Sequence, residues 1–200
     1  MVDSSTTGFL PPAAPPAPAP IDGGTLDDFL QAIFAAISGL DGTMVRPAFQ
    51  PEPGNVPDAG VAWMAFQYTA RPADMFPAIV HHPDGSGFDE FQRHEELHML
   101  CSFYDLGGAG LADYYCAILR DGLMIPQNFE VLTRAGMGLA MVGDKTVVPV
   151  LMKMRWQYRV DLPLVIRRAV VRYYNVLNLL QASGTIMTDT GVVEPFVSIP

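Results

Sequence analysis

The sequence predicts an α+β domain: a mainly antiparallel sheet flanked by a few helices, with extended arms at both ends. Three observations carry that prediction. Trp156, Tyr158, Val160, Leu162 and Leu164 alternate with Gln157, Arg159 and Asp161, the period-two pattern of a half-buried strand. Leu26, Phe29, Leu30, Ile33, Phe34 and Ile37 recur instead at helical spacing. The remaining apolar segments are short and separated by turn-length clusters, as hairpin-connected strands are.

In chain order, Met1 to Asp22 reads as a tail. Its PPAAPPAPAP run, Pro11 to Pro20, is low-complexity and suits a semi-rigid polyproline II arm. It is either a loose leader or an arm lying on a neighbouring subunit, since a pre-stiffened segment loses less entropy on docking. Thr25 can cap the first helix, with Asp27 and Asp28 in its first turn and Ser38-Gly39 at its end. Thr43 to Phe49 reads as a short strand before PEPGNVPDAG, a loop whose prolines and glycines forbid regular structure. Val61 to Thr69 and Met75 to His81 are two further strands, and HPDGSG (82–87) is a turn.

Phe88 to Tyr104 fits either a strand or a helix, and both readings stay open. DLGGAG (105–110) is a glycine-rich loop without the Lys-Ser/Thr end of a phosphate cradle. Leu111 to Met124 is an amphipathic helix with Leu111, Tyr114, Tyr115, Ile118, Leu119 and Leu123 facing the core. Pro126 stops it, and Gln127 to Ala135 forms a short helix ended by Gly136. Leu139 to Val142 and Val147 to Met154 read as strands around a Gly-Asp-Lys turn. Past Pro163, β-branched and aromatic residues favour a long strand, with a helix over 163–180 as the alternative. The expected organisation is an arm over 1–22, one α+β domain over 23–186, and a C-terminal arm or short strand over 187–200.

Two hundred residues suffice for one such domain. Half are apolar and 16% are charged, which suits a surface covered by neighbours and equally a tightly packed monomer. The net charge of −9 argues against a sequence-independent nucleic-acid binder, which needs clustered Lys and Arg. An acidic wall can still line a channel through which DNA slides. Cys101 and Cys116 lack Cys-x-x-Cys spacing and predict buried reduced thiols. The N-terminus shows no basic-then-apolar signal pattern. No apolar run approaches the ~20 residues that span a bilayer, so a soluble protein without a membrane partner is expected.

One stretch resembles catalytic machinery. His94-Glu95-Glu96-Leu97-His98 matches His-Glu-x-x-His, which on a helix puts two zinc ligands one turn apart with Glu95 beside a metal-bound water. A third ligand is missing at the expected spacings, where Cys101 and Tyr104 stand. On a strand His94 and His98 share a face but Glu95 points away. A zinc-dependent hydrolase using His94, Glu95 and His98 is therefore the alternative, and otherwise no catalytic residue, metal site or cofactor is expected. Arg155, Arg159, Arg167, Arg168 and Arg172 are a positive set in an acidic chain. They are either a polar sheet face, with Arg159 pairing Asp161, or an interface meeting the acidic surface of the next copy.

WQYRVDLPLVIRR (156–168) followed by YNVLNLLQASGTI (174–186) resembles the C-terminal part of the phage neck or tail terminator family. Val45 to Trp63, Glu95 to Asp105 and Ile118 to Leu132 fit it in the same order, so the resemblance covers roughly Gly23 to Ile186. It implies a virion structural protein, made in the host cytoplasm and placed in the neck or tail. It implies a homo-oligomeric ring, with a hexamer as the expected stoichiometry. Its implied partners are the tail tube, sheath proteins and head-tail connector or adaptor proteins. Genomic DNA would pass through the lumen without sequence-specific contacts.

Overall fold

The computed structural model describes residues 21, 23–49, 61–82, 88–105, 110–152, 155–175, 182–187 and 193–198. The proline-rich run, the PEPGNVPDAG loop and most of the HPDGSG and DLGGAG loops lie outside these. Three α-helices are present among the described residues, α1 (Gly24–Ser38), α2 (Leu111–Gly122) and α3 (Pro126–Arg134), with a 3-10 turn at Gly42–Met44. The strands are β1 (Val45–Pro47), β2 (Trp63–Ala70), β3 (Ala78–His81), β4 (Asp89–Asp105) and β5 (Met137–Val142). They continue with β6 (Thr146–Met152), β7 (Arg155–Tyr174), β8 (Ala182–Met187) and β9 (Val193–Ser198). A seven-stranded sheet runs β1-β2-β4-β7-β5, with β3 added on β4 and β6 on β7. Only β1 against β2 is a parallel pairing in the described ladders; the fold is α+β with a mainly antiparallel sheet. β8 and β9 form a separate two-stranded antiparallel ladder.

The chain divides into two compact units. The larger holds Pro20–Met75 and His94–Ala169; the smaller includes Phe76–Arg93 and Val170–Pro200. In the larger unit one sheet face is core. Met64 and Phe66 of β2, Leu97, Met99, Cys101 and Phe103 of β4, and Val160, Leu162, Leu164 and Ile166 of β7 all bury themselves there. Leu26, Leu30 and Phe34 of α1 and Ala112, Cys116 and Leu119 of α2 join the same cluster. Phe34 meets Phe66 edge-on at 5.5 Å. In the smaller unit Phe91 packs edge-on against Tyr174.

Both open stretches are strands where they are described, 176–180 of the second lying outside the described residues. In β4 the alternate residues Leu97, Met99, Cys101 and Phe103 are at most 2% exposed, and a helix would scatter them around its circumference. Helix-forming composition yields here to cross-strand pairing with β2. β7 likewise runs through Pro163 to Tyr174. Proline is tolerated because a strand residue's N–H and C=O point to the same side. The Pro163 carbonyl accepts the Gly143 N–H at 2.8 Å, so the missing N–H faces the gap between β5 and β6. No ladder bond is lost there. A Cβ on Gly143 would come within 2.7 Å of the Pro163 ring, so this turn needs glycine.

Two local expectations are corrected. Gly23, not Thr25, occupies the N-cap of α1. Tyr114 is exposed, because α2 buries Ala112, Cys116 and Leu119. Gly122, at the end of α2, allows close approach to α1: a Cβ there would strike Ile37 at 2.4 Å.

Candidate functional site

The His94–His98 motif lies inside β4, so the helix that a zinc-protease site requires is absent. With successive side chains on opposite faces, His94, Glu96 and His98 share one face and Glu95 lies on the other. Along about 3.3 Å per residue, the two histidine Cα atoms stand roughly 13 Å apart. Among the described residues no group of three His, Cys, Asp or Glu side chains is placed to hold a metal ion. Each histidine has a carboxylate neighbour instead: His94 with Asp74 and His98 with Glu96, both at 3.3 Å.

Glu95 and Glu96 are engaged from β7. Arg168 pairs with Glu95 and Arg167 with Glu96, the latter at 2.6 Å. Farther along, Ser102 donates to Asp161 at 2.7 Å. Numbers rise along β4 as they fall along β7, as antiparallel neighbours require. The two arginine pairs are therefore back to back across the sheet. Arg167 is 61% exposed, while Arg168 is 4% exposed. Arg168 also donates to the Ile21 carbonyl at 2.8 Å, fixing where the chain enters α1. The Arg167 guanidinium, then the His98 ring, hold the Glu96 carboxyl below its usual range.

Around this point the larger unit has an open cleft of about 540 Å³ lined by Pro72, Asp74, His94, Glu95, Glu96 and Arg167. Both of its glutamates are paired with arginine, and its His94 ring lies beside the Asp74 carboxylate. Tyr68 donates to Asp27 at 2.6 Å. Burial, then that carboxylate, push its phenol well above the ordinary range. Burial raises the Cys116 thiol to about 11 and the Cys101 thiol well above its usual range, so both are inert thiols.

The other arginines are distributed as follows. Arg159 donates to Asp161 at 2.7 Å, the expected pair; burial opposes its charge and the Asp161 carboxylate outweighs it. Arg172 lines a groove of the smaller unit with Pro77, Phe91, Arg93 and Tyr174. Arg155 opens β7, and its side chain lies outside the described residues.

Sequence reasoning missed the most distinctive surface of the larger unit. In the β6–β7 hairpin, Val147 pairs with Val160, Pro149 with Tyr158, and Leu151 with Trp156. Residues directly opposite in a ladder share a face. Val160 is fully buried while its ladder partner Val147 is half exposed, and farther out Leu151 is 55%, Trp156 73% and Tyr158 38% exposed. The hairpin thus carries the apolar core face outward past its cover. Alternation predicts which face is apolar but not where the helices above it end.

Residues 24–190 match the family model described as phage neck terminator protein. No curated protein matches the chain.

Proposed function

Because the chain belongs to the phage neck terminator family, a family of structural proteins of the virion neck, we propose that it assembles as a ring of identical subunits, a hexamer. In this reading the ring caps the tail tube and joins it to the head connector, with genomic DNA passing through the lumen. It would be made in the host cytoplasm and would contact tail-tube, sheath and connector proteins but no membrane. Its work is assembly geometry, without turnover.

The observation that carries the reading is the bare apolar end of the β6–β7 hairpin. Leu151, Trp156 and Tyr158 form contiguous aromatic and aliphatic surface at exposures normally reserved for an interface. A second, weaker support is charge. Arg172, and Arg167 beside its Glu96 partner, are exposed on a chain of net charge −9, so both can also approach acidic surface on the next copy, as heterologous ring contacts allow. Arg168 and Arg159 are satisfied inside the subunit and are assigned structural roles. The organisation proposed is an arm over 1–22, the assembling domain over 23–186, and a C-terminal segment over 187–200.

Native mass spectrometry of the purified full chain tests this. Closed rings or partial rings of one subunit mass support it. A monomer at every concentration, which also fails to join purified tail tubes by sedimentation, overturns it. A monomer carrying stoichiometric zinc would favour hydrolase chemistry, which the strand geometry of His94, Glu95 and His98 opposes.

A further inference from the structure

We propose that the seat of the proline-rich arm, Pro11–Pro20, is the bare β6–β7 face of another copy of the chain, with Trp156 and Tyr158 as its aromatic platform. The arm's chemistry fits that face. Its ten residues are six prolines and four alanines without a charge, and they include PAAP (12–15) and PPAP (15–18). Such segments favour polyproline II, in which prolines three apart fall on one edge. Stiff, uncharged edges of this kind dock on exposed aromatic rings, because little chain entropy is lost and proline rings stack on π faces. Trp156 and Tyr158 are two residues apart on one strand face, flanked across the ladder by Leu151 and Pro149. That is an aromatic strip with apolar shoulders and no charge among the four.

Reach decides which copy supplies the arm. Ile21 is the first described residue, and its carbonyl is held by Arg168. Along β7, Tyr158 and Trp156 lie ten and twelve residues from Arg168, roughly 33 and 40 Å at the strand rise. At about 3.1 Å per residue, the far end of the run at Pro11 reaches only ~31 Å from Ile21, and its middle about half that. To lay several prolines on those rings, the arm would need a spacer between Ile21 and the run, and the run begins immediately at Pro20. The chain's own arm is thus poorly placed to lay the middle of its run on the rings, and the arm of a neighbour is the occupant proposed. This deepens the ring reading and rests on it for the neighbour's presence, but the docking event itself can be measured without a ring.

The test uses a fluorescent synthetic peptide of residues 1–20 and, as receptor, the full chain with serine in place of the six prolines, so that its own arm does not compete. Saturable binding by anisotropy is expected, weakened at least tenfold by Trp156→Ala in the receptor and by the same six serines in the peptide. Trp156 is largely exposed, so that variant stays folded, and Tyr158→Ala serves as an independent check. Absence of saturable binding overturns the proposal, and so does binding that neither variant weakens. Native mass spectrometry of the unaltered chain separates the two ideas. Rings without peptide binding leave the ring and remove the arm's seat; peptide binding by a chain that never oligomerises does the reverse.

Discussion

The two ends of one face of β7 have nearly the same chemistry and opposite surroundings. Val160, Leu162 and Ile166 are fully buried beneath the helices, whereas Trp156 and Tyr158, next along that face, are 73% and 38% exposed. Apolar side chains buried on folding stabilise the fold by about 25 cal/mol per Å² removed from water. Those left exposed contribute little until something covers them. The difference teaches where folding stops and assembly begins: the strand is longer than the subunit's own core. At 20 residues β7 far exceeds the usual strand of roughly 3–10.

The largest expected effect lies at the buried end. Arg168→Ala strands the Glu95 carboxylate and frees the Ile21 carbonyl, and loss of one partner of a buried pair destabilises by about 3–5 kcal/mol. Urea unfolding should show it. Replacing both Arg168 and Glu95 with apolar residues of similar size should recover much of the loss, because no lone charge remains. Next comes Leu162→Ala. It should lower stability by about 2–5 kcal/mol with an unchanged m-value, since it opens a cavity in a closed core. If Leu162→Ala were harmless, the contrast between the two ends of β7 would collapse.

Much of this fold is legible in the sequence. The alternation from Trp156 to Leu164 marks a strand and its apolar face correctly, and the helical spacing from Leu26 to Phe34 marks α1. Phe88 to Tyr104 was not decidable locally, because its helix-forming residues also alternate. Pairing with β2, tens of residues away, settles it. The Arg168–Glu95 pair joins residues 73 apart in sequence, and nothing local announces such a register. It also explains the zinc-protease resemblance: Glu95 faces an arginine from another strand, away from the histidines beside it. The bare hairpin end stayed hidden for a different reason. Trp156 obeys the same period as Leu162, and a period carries no information about cover.

A smaller effect is expected on the opposite face, at Arg167. Its pair with Glu96 is solvent-exposed, so Arg167→Ala should cost far less than Arg168→Ala. The sign with pH is fixed by the depressed Glu96 carboxyl. A group whose pKa falls on folding contributes stability above its unfolded value, about 4.3, and loses it as pH drops through the folded value. The difference between Arg167→Ala and the unaltered chain should therefore be present at neutral pH and vanish in acid below that range. A difference that grew in acid would show that Arg167 does not act through Glu96.

The smallest expected change in stability is at the bare end, and its smallness is what gives it force. Trp156→Ala removes the largest side chain of the exposed strip, yet unfolding of the isolated subunit should shift by no more than about 0.5 kcal/mol, the range of surface substitutions. The same change in a core tryptophan would lose about 3–5 kcal/mol. If the midpoint in urea stays put while the oligomer population falls, Trp156 belongs to the assembly and not to the fold. If stability falls by several kcal/mol in the monomer, the ring is covered within its own subunit. Measured below the concentration at which subunits associate, these outcomes separate cleanly, because coupling between association and folding is then absent.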